Sequence, residues 1–181
     1  MKNGILTLLI VVVTGVQTMA QPLIDREGVA SFFSEAPMED IEAVNKEVLG
    51  AIDLQKGTLA VSMFMKKFHF DKSLMEEHFN ENYLESEQFP KATFKGVIKN
   101  FANLNFSKEG TFEAEAEGEM EIHGVSKPLT TVVKFEIFPS SLKAATEFSI
   151  SIADHDIDIP KLVIKNIAEV VEVKAAFNFK K

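Results

Sequence analysis

The chain contains no cysteine and no tryptophan, and it has a single tyrosine beside 16 phenylalanines. Without cysteine it can form no disulfide, cannot be a thiol enzyme and has no cysteine for lipid attachment. The fold must therefore depend on the burial of apolar side chains. Because phenylalanine carries no polar group that needs a partner, its excess over tyrosine and tryptophan favours a large apolar interior over a polar site.

Basic residues are in the minority, and this limits the classes of partner. Nineteen Lys and Arg stand against 27 Asp and Glu, which gives a formal net charge of −8. Such a balance argues against nucleic acid as a partner and against electrostatic docking on anionic lipid. The 181 residues are enough for one domain with a real core.

The first twenty residues are typical of a secretory signal peptide. Lys2 gives a weakly positive start, an apolar run follows over residues 5–13, and Thr18 and Ala20 put small residues where signal peptidase cuts. Cleavage after Ala20 would leave residues 21–181 as one mature domain. We therefore predict a periplasmic or secreted protein. A retained membrane anchor is the alternative, although the apolar run is short for a bilayer span.

Glutamate alternates with apolar or small residues from Thr111 to Ile122. A period of two places the carboxylates on one face of a β-strand and the apolar residues on the other. Half of that inner face is Ala or Gly, which either admits large neighbours or leaves space. Further alternating runs, with turn residues between most of them, predict a sandwich or barrel; they span residues 91–101, 129–137, 142–152 and 171–179.

Two segments between residues 59 and 87 have their own patterns. In the first, residues 59–70, Val61, Met63 and Met65 share one predicted strand face and Phe64, Phe68 and Phe70 share the other. In the second, Ser73 and Glu76 fit a capping box, which predicts a helix over residues 73–87. The apolar positions of this helix, four residues apart, are Met75, Phe79 and Tyr83.

Catalytic and metal-binding signals are weak. The four histidines lack the close spacing of zinc ligands, and they are His69, His78, His123 and His155. The acidic segment 154–158 lacks the glycine and the closing glutamate of a calcium loop. No GxSxG motif or phosphate-binding loop is present. We therefore predict no metal, no cofactor and no enzyme. A lipid hydrolase or isomerase that uses His78 or the 154–158 segment is an alternative.

Two motifs together resemble the YceI-like family of polyisoprenoid-binding, lipocalin-like proteins. Residues 122–129 read IHGVSKPL, residues 83–96 read YLESEQFPKATFKG, and residues 149–160 give a third, weaker match. The resemblance, over residues 27–179, implies an antiparallel lipocalin-like β-barrel of about eight strands with a helix near its mouth. It also implies a periplasmic protein that holds a long isoprenoid, such as a quinone or an isoprenyl phosphate. Residues 38–49, whose spacing favours a helix, are accordingly predicted as strand.

A barrel of this size is either filled by side chains or holds one small ligand. The predicted ligand-binding residues are Phe64, Phe68, Phe70, Met75, His78, Phe79, Tyr83, Phe94, Ile98, Phe112, Ala114, Ala116, Met120, Phe135, Phe148 and Phe177. On this hypothesis Ala116→Phe would abolish ligand uptake and leave the fold intact. The alternative is a solid barrel in which the phenylalanines interdigitate, as in a structural or stress-response protein.

The expected partner is thus a hydrophobic small molecule, and an isoprenoid or fatty-acid-like lipid is expected to co-purify. Such a ligand would need no charged anchor, because burial of its chain alone gives binding energy. A transient membrane contact and a homodimer are left open.

Overall fold

The computed structural model describes residues 21–35, 40–159 and 168–181. The predicted signal peptide lies outside these residues. Within them the strands are β1 (Leu23–Ser34), β2 (Ile41–Asp53), β3 (Thr58–Phe64), β4 (His69–Phe70), β5 (Lys91–Ile98), β6 (Gly110–Ile122), β7 (Val125–Ile137), β8 (Ser141–Ser151) and β9 (Val170–Lys180). A short helix, α1 (Ser73–His78), joins β4 to the segment that leads into β5. In the described part of the chain no helix is long and apolar enough to cross a membrane.

Eight of these strands close into an antiparallel barrel. Around it the order is β1, β2, β3, β5, β6, β7, β8 and β9, and β9 pairs with β1 to complete the circle. The two-residue strand β4 pairs with β2 beside β3. The all-β prediction of about eight strands is confirmed. The strand prediction for residues 38–49 is also confirmed where the chain is described, since β2 begins at Ile41.

The alternation in β6 produces the predicted two-faced strand. All five of its glutamates are exposed, whereas Ala114, Ala116 and Met120 are buried. The strand continues into β7 through a two-residue turn of His123 and Gly124, whose φ angles are 52° and 74°. Positive φ at both positions matches the twist of the flanking strands and favours a tight hairpin.

The barrel interior holds two clusters of buried side chains, one toward each end. At the closed end, where β5 ends and β6 begins, the connection over residues 99–109 folds inward. The closed-end cluster comprises Ile52, Ile98, Phe106, Ala114, Ala116, Val133, Phe135, Ile137, Leu142, Ala144 and Phe179. At the open end, where β3 ends and α1 follows, the open-end cluster comprises Ala30, Ala43, Val48, Met63, Met65, Phe68, Leu84 and Ala92.

Candidate functional site

A cavity of about 420 Å³ opens at the open end, beneath α1. Its walls come from the ends of the strands, from α1 and the turn that follows it, and from the segment after β8. The lining residues are Phe32, Ser34, Ile41, Met63, Met65, Phe68, Phe70, Met75, His78, Phe79, Tyr83, Leu84, Ala92, Met120, Ile122, Ile150, Ile152, Ile157, Ile159, Val171 and Val173. Ser34, His78 and Tyr83 carry the polar side-chain groups among them, so the cavity is almost wholly apolar. This size and character suit a small apolar ligand.

Four phenylalanines form an aromatic cluster (Phe32, Phe68, Phe70 and Phe79) against the cavity. Phe79, which follows α1, stacks on Phe32 with ring centroids 5.5 Å apart, and it meets Phe70 at 5.1 Å and Phe68 at 5.8 Å. Offset and edge-on contacts at these distances add to the energy of burial. The aromatic cluster therefore ties the helical segment to β1 and β4, and it makes one wall of the cavity.

Phe32 is a lining residue that the sequence analysis missed. It lies on β1 between the buried Ala30 and Ser34, so the period of two in this strand would have assigned it to the interior. The adjacent Phe33 obscured this pattern, because apolar residues then occupy both faces.

The strand predicted over residues 59–70 is broken by a 3₁₀ turn at Met65–Lys67. The turn changes which side chains point inward. Met65 and Phe68 are buried, whereas Phe64 is 49% exposed on the outer surface, with the Lys91 ammonium 4.7 Å from its ring centroid. The prediction that Phe64 shares a face with Phe68 and Phe70 is therefore wrong, and Phe64 does not line this cavity.

The predicted helix over residues 73–87 is shorter than expected. After α1 the chain widens into one π-helical turn at Phe79–Tyr83, and the Leu84 N–H donates to the Phe79 carbonyl at 2.9 Å. The buried Ser86 then donates to the Asn80 side chain at 2.8 Å, which draws the chain away from the helix axis. This local side-chain hydrogen bond competes with continued helix.

The prediction of a capping box formed by Ser73 and Glu76 is also wrong. Lys72, not Ser73, occupies the N-cap position of α1, and no side-chain cap is formed there. The Glu76 carboxylate instead accepts a hydrogen bond from the Phe70 N–H at 3.2 Å. The bond ties α1 to β4 and holds the helical segment over the mouth of the cavity.

Three polar side chains, those of Ser34, His78 and Tyr83, lie in the walls of the cavity. The Ser34 hydroxyl accepts a hydrogen bond from the Ala168 N–H at 3.1 Å, and His78 is exposed at the rim. Burial raises the pKa of the Tyr83 phenol above its ordinary value, so this group stays neutral and can donate a hydrogen bond. What the cavity offers chemically is an apolar space with a few hydrogen-bonding groups in its walls.

Apart from the exposed Phe64, the predicted site residues are divided among the two ends of the barrel and the level between them. Seven of them line the cavity: Phe68, Phe70, Met75, His78, Phe79, Tyr83 and Met120. Five belong to the closed end or pack against it: Ile98, Phe112, Ala114, Ala116 and Phe135. Phe94, Phe148 and Phe177 lie on the strands between the two levels, and Phe177 packs against both clusters. The small residues of β6 thus do not widen the cavity.

The closed end is filled because a loop residue enters it. Phe106, from the connection between β5 and β6, lies 5.2 Å from Phe135 and 5.1 Å from Phe112, measured between ring centroids. Ala114 and Ala116 accommodate these rings. The alternative of interdigitating phenylalanines therefore describes this end of the barrel, and the predicted cavity describes the other.

A family model for the YceI-like domain matches residues 28–179. The chain belongs to the YceI-like family. No curated protein matches it.

Solved structures show the same fold at low sequence identity. A polyisoprenoid binding domain from Saccharophagus degradans, implicated in plant cell wall breakdown, is 12% identical with a TM-score of 0.74, over 88% of this chain and 97% of that one. BcnA of Burkholderia cenocepacia is 16% identical with a TM-score of 0.69, over 83% and 95%. The YceI protein of Campylobacter jejuni is 12% identical with a TM-score of 0.57, over 100% and 99%.

The three segments that carried the YceI-like resemblance meet beside the cavity, in what we call the His123 cluster (Glu85, Phe89, His123 and His155). His123 Nε2 lies 3.0 Å from Glu85 Oε2, and its Nδ1 lies 3.1 Å from the His155 carbonyl oxygen. The Phe89 ring packs edge-on against His123 at 4.4 Å. The His155 ring in turn lies 3.1 Å, through Nδ1, from the Val125 carbonyl. The cluster joins three loops at the open end of this YceI-like barrel.

The acidic segment 154–158 lies at the same end. Asp154, Asp156 and Asp158 are exposed, and the buried residue of the segment is His155. Among the described residues no group of three or more His, Asp or Glu could hold a metal ion. The segment thus fixes a loop of the YceI-like fold and presents its carboxylates to water, where they lack the partly buried setting that a general acid needs.

Proposed function

We propose that the protein binds the apolar chain of a lipid, specifically an isoprenoid, in the open-end cavity, and that it does so without catalysis. The main support for this proposal is the cavity itself, which is lined by apolar side chains and covered by α1. The fold supports the proposal as well, because a structural neighbour is a polyisoprenoid binding domain. An apolar chain that leaves water for such walls gains about 0.8 kcal/mol for each buried CH₂ group.

The cavity walls can adapt to a chain of irregular shape. Four methionines line it: Met63, Met65, Met75 and Met120. Methionine has an unbranched, flexible side chain that fills uneven gaps. Isoprenoid chains carry a methyl branch on each unit, so adaptable walls favour contact along the whole buried length.

The helical segment gives the ligand a route of entry. None of the residues of α1 is buried, and the helix spans only six residues. A short helix with few buried contacts opens at low free energy. Phe79 stacks over the aromatic cluster when the segment is closed. We propose that this segment lifts to admit the chain and then closes on it.

Organic extraction of the purified protein, followed by mass spectrometry, tests the proposal directly. We expect an isoprenoid in the extract of the wild type, and direct binding of a prenyl alcohol by protein from which lipid has been removed. Phe79→Ala should weaken that binding by tenfold or more, because it removes one ring of the aromatic cluster.

Phe64→Ala is the matched control for this substitution. It also deletes a phenylalanine ring, but from the outer surface near the same end. Affinity should stay within about twofold of wild type, because exposed substitutions remote from a site have small effects. An empty extract together with no measurable binding of any prenyl alcohol would overturn the proposal.

A periplasmic or secreted location is part of the proposal, and it rests on the sequence of residues 1–20. N-terminal sequencing of the protein recovered from the native host is the test. Gln21 as the first residue is the expected result, and a retained Met1 in the cytoplasm contradicts it.

The last part of the proposed function is that the ligand is transferred during a transient contact with a membrane. Leu74 on α1 is 59% exposed next to the lining residue Met75, so an apolar side chain stands at the rim of the mouth. Leu74→Asp should slow uptake of prenyl alcohol from neutral vesicles and leave equilibrium affinity unchanged. An unchanged uptake rate speaks against this contact.

The homodimer stays a prediction. Analytical sedimentation, which measures the mass of the protein in solution, is its test.

A further inference from the structure

The cavity ends part-way down the barrel. On β6, β8 and β9 its lowest lining residues are Met120, Ile150 and Val173. From these positions each strand runs on for several residues before it reaches the closed end. The barrel is therefore longer than the space that it offers.

Three phenylalanines stand at the level where the cavity stops, and we call them the partition (Phe94, Phe148 and Phe177). Phe94 pairs with the lining residue Met120 across β5 and β6, and Phe148 pairs with the lining residue Val173 across β8 and β9. Phe177 packs against both the open-end and the closed-end cluster. The partition thus separates the cavity from the filled half.

The ring of Phe177 is held tightly in this place. A Cβ atom added to Gly28 or to Gly50 would lie 2.5 Å from its Cδ1 atom, which is closer than real Cβ atoms approach. The backbones of β1 and β2 therefore come up against the ring because these two positions are glycine. On the opposite side the Phe94 ring lies against Gly96 in the same way, with 2.6 Å from an added Cβ to Cζ.

The depth of the cavity sets a limit on the chain that can be enclosed. Its lining residues run from Met120 to Ile122 on β6 and from Val171 to Val173 on β9, which is about 7 Å of strand at 3.3 Å per residue. A long isoprenoid chain must therefore leave some of its units outside the barrel.

We infer that the partition limits the length of chain that the cavity encloses, because it fills the barrel directly below the lining residues. The inference rests on the proposed function, since it concerns the length of chain that the same cavity holds. Units that do not fit above the partition stay in contact with water or with the rim, and so they add little to affinity.

A series of prenyl alcohols of two, three, four and nine units tests the limit. Each buried carbon should tighten binding about fourfold, because about 0.8 kcal/mol per CH₂ corresponds to that ratio. Affinity should therefore rise steeply with each unit that fits above the partition, and change by less than threefold beyond a break that lies short of nine units. Calorimetric titration of lipid-free protein gives the constants.

Phe177→Ala should move the break in this series to a longer chain. The substitution deletes six ring carbons, more than the five of one isoprene unit, so the first alcohol beyond the wild-type break should bind at least tenfold more tightly than the alcohol at the break. Phe148→Ala is the second variant, and it provides the same test if Phe177→Ala does not fold. Phe179→Ala is the control, because this ring stacks on Phe177 at 5.8 Å but belongs to the closed-end cluster. It should leave the break at its wild-type length.

The outcomes separate the length limit from the proposed function. An affinity that climbs steadily to nine units overturns the limit and leaves the binding function standing. A break that stays at the wild-type length in folded Phe177→Ala and Phe148→Ala overturns the role of the partition. No binding at any length, in wild type and variants, overturns the proposed function and the limit with it.

Discussion

The two ends of the barrel are built from the same strands and differ in what covers them. At the closed end the connection between β5 and β6 inserts Phe106 among the inward side chains, and the closed-end cluster packs around it. At the open end the connection between β4 and β5 lays a short helix across the mouth and leaves about 420 Å³ beneath it. The strand pattern makes a barrel, but the connections decide which part of it is hollow.

The difference between the two ends also explains why β6 carries small inward-facing residues. Ala114 and Ala116 lie at the closed end, where they make room for the rings of Phe106 and Phe135. Small inward residues therefore allow dense packing here, as expected for an interior that is close-packed. The larger side chains Met63, Met65 and Met120 surround the hollow end. Residue size along one strand is a poor guide to where a barrel leaves space.

The largest expected effect is on stability at the closed end. Phe135 is fully buried, and Phe135→Ala should lower the free energy of unfolding by about 3–5 kcal/mol, because it leaves a void among rings that cannot collapse together. Affinity of the folded fraction for a prenyl alcohol should not change. Urea unfolding monitored by circular dichroism, with titration under native conditions, measures both quantities.

Phe138→Ala is the control, since this ring lies just beyond β7 and is 38% exposed. Its free energy of unfolding should stay within about 0.5 kcal/mol of wild type. A loss of affinity in folded Phe135→Ala would mean that the closed end takes part in binding, and the division of the barrel would fail.

The second effect concerns Ala116, and it revises the expectation drawn from the sequence. Because Ala116 is 1% exposed inside the closed-end cluster, Ala116→Phe should overpack that cluster and destabilise the fold by about 1–3 kcal/mol. Folded protein should still take up ligand. Ala145→Phe, which adds the same ring on the outer face of β8, provides the comparison. If Ala116→Phe abolished ligand uptake without lowering stability, the cavity would have to extend along β6 as far as Ala116.

The strands could be predicted from the sequence because a period of two depends on one segment at a time. The boundaries of β6 and the exposure of its glutamates follow from that rule alone. The division of the barrel could not be predicted, because it depends on where a loop residue, Phe106, packs in three dimensions. The exposure of Phe64 was missed for a related reason. A single 3₁₀ turn after β3 shifts the pattern, and nothing in residues 65–67 marks it.

A third and smaller effect is expected at the His123 cluster, which joins loops of the open end. Both ring nitrogens of His123 face oxygens, so His123→Asn should remove at least one hydrogen bond and lower stability by about 1–2 kcal/mol. Asparagine tolerates the positive φ of this position, so the backbone turn survives. Hydrogen exchange should quicken in the β6–β7 turn and in residues 153–156, and closed-end strands should keep their protection.

Glu85→Gln is the matched change on the other side of this contact. It keeps an oxygen near Nε2 and removes the charge, so its effect should be smaller than that of His123→Asn. Faster exchange throughout the barrel, rather than at these loops, would show that the two ends are not stabilised separately.

The smallest effect uses Tyr83, the single tyrosine of the chain, which lines the open-end cavity. Burial already raises the pKa of its phenol above the ordinary value of 10.0, because the charged form loses water. A ligand that displaces more water should raise this pKa further, so tyrosinate absorbance should appear at higher pH in the lipid-bound protein than in the lipid-free protein. The unfolded chain in urea should titrate near the ordinary value.

The sign of the accompanying stability change follows from the same shift. Between the unfolded pKa and the raised folded pKa, the folded state retains a proton that the unfolded state has released, so stability falls as pH rises through this window. Bound ligand should widen the window upward. Titration curves that coincide with and without prenyl alcohol would place the chain away from Tyr83. The ligand chain would then bind against the aromatic cluster on the β1 and β4 side. Only that side of the open end would take part in binding.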